Sequence, residues 1–139
     1  MRPARDDDRE FLFMTRRDGF RRYVELHKPW DDDYQRTVAA ADFAAAQVEI
    51  IDRDGVAIGY QVVERKADHW WLEEIALVAS ERNRGLGSEL VRAIMNAAHA
   101  AGMPLRLNCL RANPARHMYD RLGFRVIAEE DVRVRMEWP

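Results

Sequence analysis

The sequence predicts an α/β layered domain built on a mixed sheet. Three observations predict it. Hydrophobic periodicity changes along the chain in the order α, α, β, β, β, α, β, α, β, β. The apolar run Trp70 to Val78 is followed at once by a turn with two glycines, and then by the amphipathic stretch Ser88 to Ala101. The length of 139 residues suits one core, and so a single domain over residues 1–139.

Met1 to Ala4 is too short for more than the stub of a strand. Asp6 to Asp8 can cap a helix and complement its dipole. That helix carries Phe11, Leu12, Met14, Phe20 and Tyr23, with an interruption near Gly19. Tyr23 to Trp30 reads as a loop or helix end, and Asp31-Asp32-Asp33 caps a second helix running to about Ala46. Gln47 to Asp52 alternates as a strand, Arg53-Asp54-Gly55 is a hairpin turn, and Val56 to Arg65 is the returning strand. Ala67-Asp68 turns the chain into the Trp70 to Val78 strand. Gly102 stops the central helix, and Pro104 to Leu110 is a strand. Pro114 to Leu122 is a short helix with proline in its first turn and Gly123 at its end. Phe124 to Ala128 and Val132 to Trp138 form a last hairpin, which is also a candidate homodimer contact.

The chain is 47% hydrophobic and 33% charged, a balance that suits a soluble globular protein. Its net charge of −2 weighs against a nucleic-acid partner. The charge is uneven. Residues 1–80 hold 12 basic and 17 acidic side chains, net −5, and residues 81–139 hold 10 and 7, net +3. The positive half therefore contains the two-glycine turn. With one cysteine, Cys109, no intrachain disulfide forms, which agrees with a reducing cytoplasm. No apolar run approaches a membrane span, and MRPARDDDRE lacks the apolar segment of a signal peptide.

The turn itself is Arg82-Asn83-Arg84-Gly85-Leu86-Gly87, with Ser88 next. Glycines here let the backbone reach conformations closed to other residues and approach a ligand closely. The N–H groups of the first helical turn lack intrahelical partners, and the dipole there favours an anion. Arg82 and Arg84 add charged donors, and a pyrophosphate fits the arrangement. The competing reading is a turn in which glycine serves only backbone geometry. The dinucleotide fingerprint requires glycine where Asn83 sits, and the P-loop requires Gly-Lys-Ser/Thr. What matches is Arg/Gln-x-x-Gly-x-Gly/Ala. This segment with its flanks resembles the acyl-CoA-binding motif of the GNAT superfamily of N-acetyltransferases.

A second segment, Asn113 to Phe124, resembles the GNAT pattern Asn…Leu-Tyr-x-x-x-Gly-Phe. The resemblance covers about residues 47–139 well and 1–46 loosely. It implies a GNAT-like fold, with a mixed, mostly antiparallel sheet flanked by helices; that fold normally begins with a full strand, and this chain departs from it with a truncated or absent first strand. It also implies that acetyl-CoA is the co-substrate, with its pyrophosphate on residues 82–87. The backbone of Leu77 and Val78 would pair with the pantetheine arm, one N–H polarising the thioester carbonyl. Tyr119 would lie near the sulfur as proton donor to the leaving thiolate, a role open to a phenol that is protonated at neutral pH. Read from sequence alone, Tyr119 is equally a core aromatic. Asn113 either contacts the cofactor or caps the helix at Pro114. The family's asparagine usually lies one residue earlier, where Ala112 stands.

An attacking amine must first lose a proton, and a carboxylate can take it. Glu73 and Glu74 lie on the strand before the loop, and adjacent strand residues face opposite ways, so at most one of them faces the substrate. The family pattern favours Glu73, and a bulge would reverse that. Cys109 sits in an apolar strand and reads as structural. His27, His69, His99 and His117 lack metal-ligand spacing, so no metal is expected. Tyr23, Glu25, His27 and Trp30 are candidates for the acceptor side, with core closure as the alternative. The sequence thus points to transfer of an acetyl group to a primary amine. Other readings are transfer of a longer acyl group, or a non-catalytic acyl-CoA-binding sensor or scaffold. The acceptor, a small molecule or a peptide, is not legible.

Overall fold

The computed structural model describes residues 1–44 and 47–139. The expected end of the second helix near Ala46 lies outside the described residues. Seven strands form one mostly antiparallel sheet. They are β1 (Arg2–Pro3), β2 (Val48–Arg53), β3 (Val56–Arg65), β4 (Trp70–Leu77), β5 (Leu105–Leu110), β6 (Arg125–Glu129) and β7 (Arg133–Trp138). Their order is β1-β2-β3-β4-β5-β7-β6. The helices are α1 (Arg9–Val24), α2 (Asp32–Ala44), α3 (Leu86–Ala100) and α4 (Ala115–Leu122). The first strand is truncated, as the sequence suggested: two residues pair antiparallel with Glu49 and Ile50.

The chain packs as two compact units, Met1–Val63 with Glu74–Arg82, and Glu64–Glu73 with Asn83–Pro139. In the first, Leu12, Val48, Ile50, Tyr60, Val62 and Ala76 form one buried cluster, with Phe11 and Phe20 packed against it. Helix α1 runs unbroken through Gly19, contrary to the expected interruption. A single glycine costs a helix only about 1 kcal/mol, too little to break sixteen residues that bury Leu12, Phe13 and Thr15. The Asp6–Asp8 triplet is a 3₁₀ turn. Asp8 turns its carboxylate to the Arg2 guanidinium (2.8 and 3.0 Å) and to the Arg5 N–H (2.7 Å). Asp31 caps α2 by accepting from the Tyr34 N–H at 3.1 Å. Asp54 and Gly55 turn the β2–β3 hairpin with φ of 53° and 81°, the left-handed pair of a type I′ turn.

In the second unit, β4 runs parallel to β5 from Trp70↔Leu105 to Leu72↔Leu107, and β5 pairs antiparallel with β7 along its length. Leu105, Leu107, Cys109, Val134 and Met136 are buried, and the residues between them on β5 and β7 are not. One face of this part of the sheet is therefore core, and the other carries the polar alternates. Helix α3 buries Val91, Ile94, Met95 and Ala98. Gly102, with φ of 71°, turns the chain out of it.

Candidate active site

The loop between β4 and α3 has the backbone of an anion cradle. Asn83 and Gly85 both adopt left-handed conformations, with φ of 61° and 79°. Gly85 stands at the helix N-cap, and the first intrahelical bond is from Glu89 N–H to Gly85 O at 3.2 Å. The N–H groups of Leu86, Gly87 and Ser88 precede that bond, so the helix itself gives them no acceptor. Successive amides bent through left-handed residues make a concavity suited to an anion. A Cβ on Gly87 would lie 3.7 Å from Met118 Sδ, an ordinary contact that places this turn beside α4.

The two arginines of the loop are used differently. Arg84 is exposed, with no ion-pair partner among the described residues. Arg82 is tied down: its Nε donates to Leu77 O at 3.0 Å and its Nη2 to Asp18 of α1 at 2.9 Å. Arg82 thus braces the start of the loop against the end of β4. The backbone expected to meet pantetheine is partly engaged as well, since the Val78 N–H donates to Ile58 O at 2.9 Å. Gly59 makes this approach possible, because a Cβ there would lie 2.3 Å from Ala76 O.

The two glutamates of β4 differ sharply. Glu74 has a side chain 9% exposed and is ion-paired with Arg16 of α1. Arg16 Nε also donates to Gln35 of α2 at 2.7 Å. Buried Tyr60 adjoins Glu74 and Arg16; burial, then the Glu74 charge, holds its phenol well above the ordinary range. Glu73 is exposed and accepts a hydrogen bond from Trp71 Nε1 at 3.0 Å.

Tyr119 of α4 is 7% exposed and packs edge-on against Phe124, ring centroids 5.5 Å apart. Burial and then neighbouring Cys109 raise its phenol above the ordinary value, so the hydroxyl keeps its proton at neutral pH. Burial pushes the Cys109 thiol up to about 11, which suits the structural role expected for it. Asn113 Oδ1 accepts from the Ala115 N–H at 2.9 Å, so this oxygen caps α4. The candidates for the acceptor side are tied locally: Arg22 to Tyr23 Oη (2.9 Å), Arg21 to Glu25 (3.0 Å), and Trp30 Nε1 to Asp32 (2.6 Å). His27 is exposed. Among the described residues no group of three His, Cys, Asp or Glu could hold a metal ion, and no helix is long and apolar enough to cross a membrane.

Sequence reasoning missed Arg16, Asp18, Trp71 and Arg135, which hold or flank the residues it named. Only Trp71 left a signal: two positions before Glu73 on a strand, it shares that residue's face.

A family model described as the acetyltransferase (GNAT) family matches residues 7–124, which span parts of both units. The fold is shared with solved structures at low identity. One is a PaiA N-acetyltransferase from Thermoplasma acidophilum in complex with coenzyme A, with a TM-score of 0.75 and 16% identity over 98% of this chain and 95% of that one. Another is PH1933 from Pyrococcus horikoshii, with a TM-score of 0.80 and 14% identity over 99% and 93%. A third is an acetyltransferase from Thermus thermophilus, with a TM-score of 0.76 and 15% identity over 99% and 94%. The search of curated proteins found no match.

Proposed function

The chain belongs to the acetyltransferase (GNAT) family, and from that premise we propose that it moves the acetyl group of acetyl-CoA directly to a primary amine. The observation that carries this reading is the loop from Asn83 to Ser88, whose two left-handed residues and leading amides make a pyrophosphate cradle. Arg84 supplies the charged donor and Arg82 the brace. The backbone of Leu77 and Val78 is the proposed contact for the pantetheine arm.

The acceptor ammonium gives a proton to a carboxylate of the Glu73–Glu74 pair, and the amine nitrogen attacks the acetyl carbonyl. The C–N bond forms, the C–S bond breaks, and the nitrogen loses its second proton. In sum, an ammonium and a thioester become an amide, a thiol and one released proton. Tyr119 assists at the sulfur. A phenol held above its ordinary range gives its proton to a thiolate uphill, since a thiol ionises near pH 8.5. Its help is therefore a hydrogen bond to sulfur as negative charge builds, and solvent completes the protonation.

The engaged Val78 N–H and the paired Glu74 favour one second reading, a non-catalytic acyl-CoA sensor. Calorimetric titration with acetyl-CoA, beside desulfo-CoA and ATP, on wild type and Gly87→Trp tests the cradle. Micromolar acetyl-CoA binding lost in the variant supports the site, and no binding to folded wild type sinks it. Free thiol released only when amines are added then separates enzyme from sensor.

A further inference from the structure

We propose that the acceptor carries a carboxylate several bonds from its amine, and that Trp71, Glu73 and Arg135 recognise its two ends. This rests on the acetyltransferase reading above. Register alignment puts Trp71 opposite Arg106, Arg106 opposite Glu137, and Asn108 opposite Arg135. These residues, with Glu73, occupy the polar face of the sheet in the second unit. Arg106 and Glu137 neutralise each other at 2.7 Å, and Arg133 on the same strand pairs with Glu130 at 2.8 Å. Glu73 and Arg135 are both exposed, and neither has an ion-pair partner among the described residues.

One indole joins them. Trp71 Nε1 donates to Glu73 Oε2 at 3.0 Å, and the Arg135 guanidinium stands 5.5 Å from the Trp71 ring centroid. Asn108 Oδ1 accepts from Arg135 Nε at 3.4 Å. His69 meets the indole edge-on at 6.3 Å and is itself engaged by Asp68 at 2.7 Å. The indole therefore touches an anion through its N–H and a cation through its ring. A ligand with the opposite arrangement matches these charges: its ammonium at Glu73, its carboxylate at Arg135, and its apolar middle over the ring. A diamine would bring a second cation against Arg135.

The test compares 5-aminopentanoate, pentylamine and cadaverine as acceptors with acetyl-CoA. Wild type should favour 5-aminopentanoate over cadaverine by about tenfold or more in kcat/KM, the effect of one charge-assisted hydrogen bond. Arg135→Gln should erase that preference through KM for 5-aminopentanoate, leaving acetyl-CoA affinity unchanged. Arg135→Lys should restore part of it. Trp71→Phe keeps the ring and loses the N–H, and should lower kcat for every amine. A preference for cadaverine, no turnover of 5-aminopentanoate where other amines react, or a preference that survives Arg135→Gln overturns the acceptor class alone. Failure of the wild type to bind acetyl-CoA overturns the acetyltransferase reading and this inference with it.

Discussion

Replacing Glu74 by glutamine should destabilise the protein by about 3 kcal/mol, because it breaks the ion pair with the Arg16 guanidinium inside the first unit. Breaking a buried ion pair from one side costs about 3–5 kcal/mol. Arg16 keeps 20% of its side-chain surface, so water recovers part of the loss and the lower end applies. The Tyr60 hydroxyl beside the pair and the Gln35 carboxamide on Arg16 lose their fixed geometry too. Unfolding entropy of about 2.1 cal/mol/K per residue over 139 residues turns 3 kcal/mol into a Tm loss of about 10 °C. Glu73→Gln is the control. Its side chain is exposed, so the change should stay within about 0.5 kcal/mol, or under about 2 °C. Thermal melts followed by circular dichroism read both. A Glu74→Gln protein melting within about 2 °C of wild type would refute the reasoning. The double variant Arg16→Met, Glu74→Met removes both charges at once and should recover part of the loss, since the buried Gln35 carboxamide then lacks the Arg16 donor.

Gly59→Ala should lower stability by about 1–3 kcal/mol, since its Cβ meets the Ala76 carbonyl oxygen at 2.3 Å; an unchanged urea midpoint would contradict the close approach of β3 and β4. The Arg2 guanidinium, as main cause, holds the Asp8 carboxyl below the usual range, so its stabilisation is present above the unfolded value of about 3.9 and is lost as pH falls through the lower folded value. Asp8→Asn should therefore lower Tm at pH 7 with a gap that closes towards acid, and a constant gap down to pH 3 would argue against this. The Cys109 thiol, ionising near 11, should react with iodoacetamide at pH 7 about a hundredfold or more slower than in unfolded chain, and equal rates would show it to be accessible. Arg84→Gln should weaken acetyl-CoA by about tenfold at unchanged Tm, whereas Arg82→Gln should lower Tm as well; matching effects would erase the distinction between donor and brace.

Local chemistry made most elements legible. Asp54-Gly55 can turn a hairpin only one way, Gly102 and Gly123 end their helices at positive φ, and alternation in Leu105–Leu110 matches its buried and part-buried faces. Helix α1 runs through Gly19 because local propensity is weak beside the burial of Leu12, which depends on strands some forty residues later. The Asp6–Asp8 triplet leads into α1 with Asp8 at its N-cap, but no side-chain cap bond forms there. Its last carboxylate does more by closing on Arg2 than by capping α1.

At the site, the distinction is between what backbone does and what charge does. The turn was legible only in part: Gly85 is left-handed, as its glycines suggested, but the second left-handed residue is Asn83, and Gly87 lies inside α3. The roles of Arg82 and Glu74 were not legible, because their partners Asp18 and Arg16 lie 64 and 58 positions away along the chain. A charged residue in a motif reads as a ligand contact until tertiary structure supplies a counter-charge. Both residues of α1 reach into the segment that carries the loop, and each engages a charge the motif had offered. Arg84 on the loop and Glu73 on the strand remain exposed, with no ion-pair partner among the described residues.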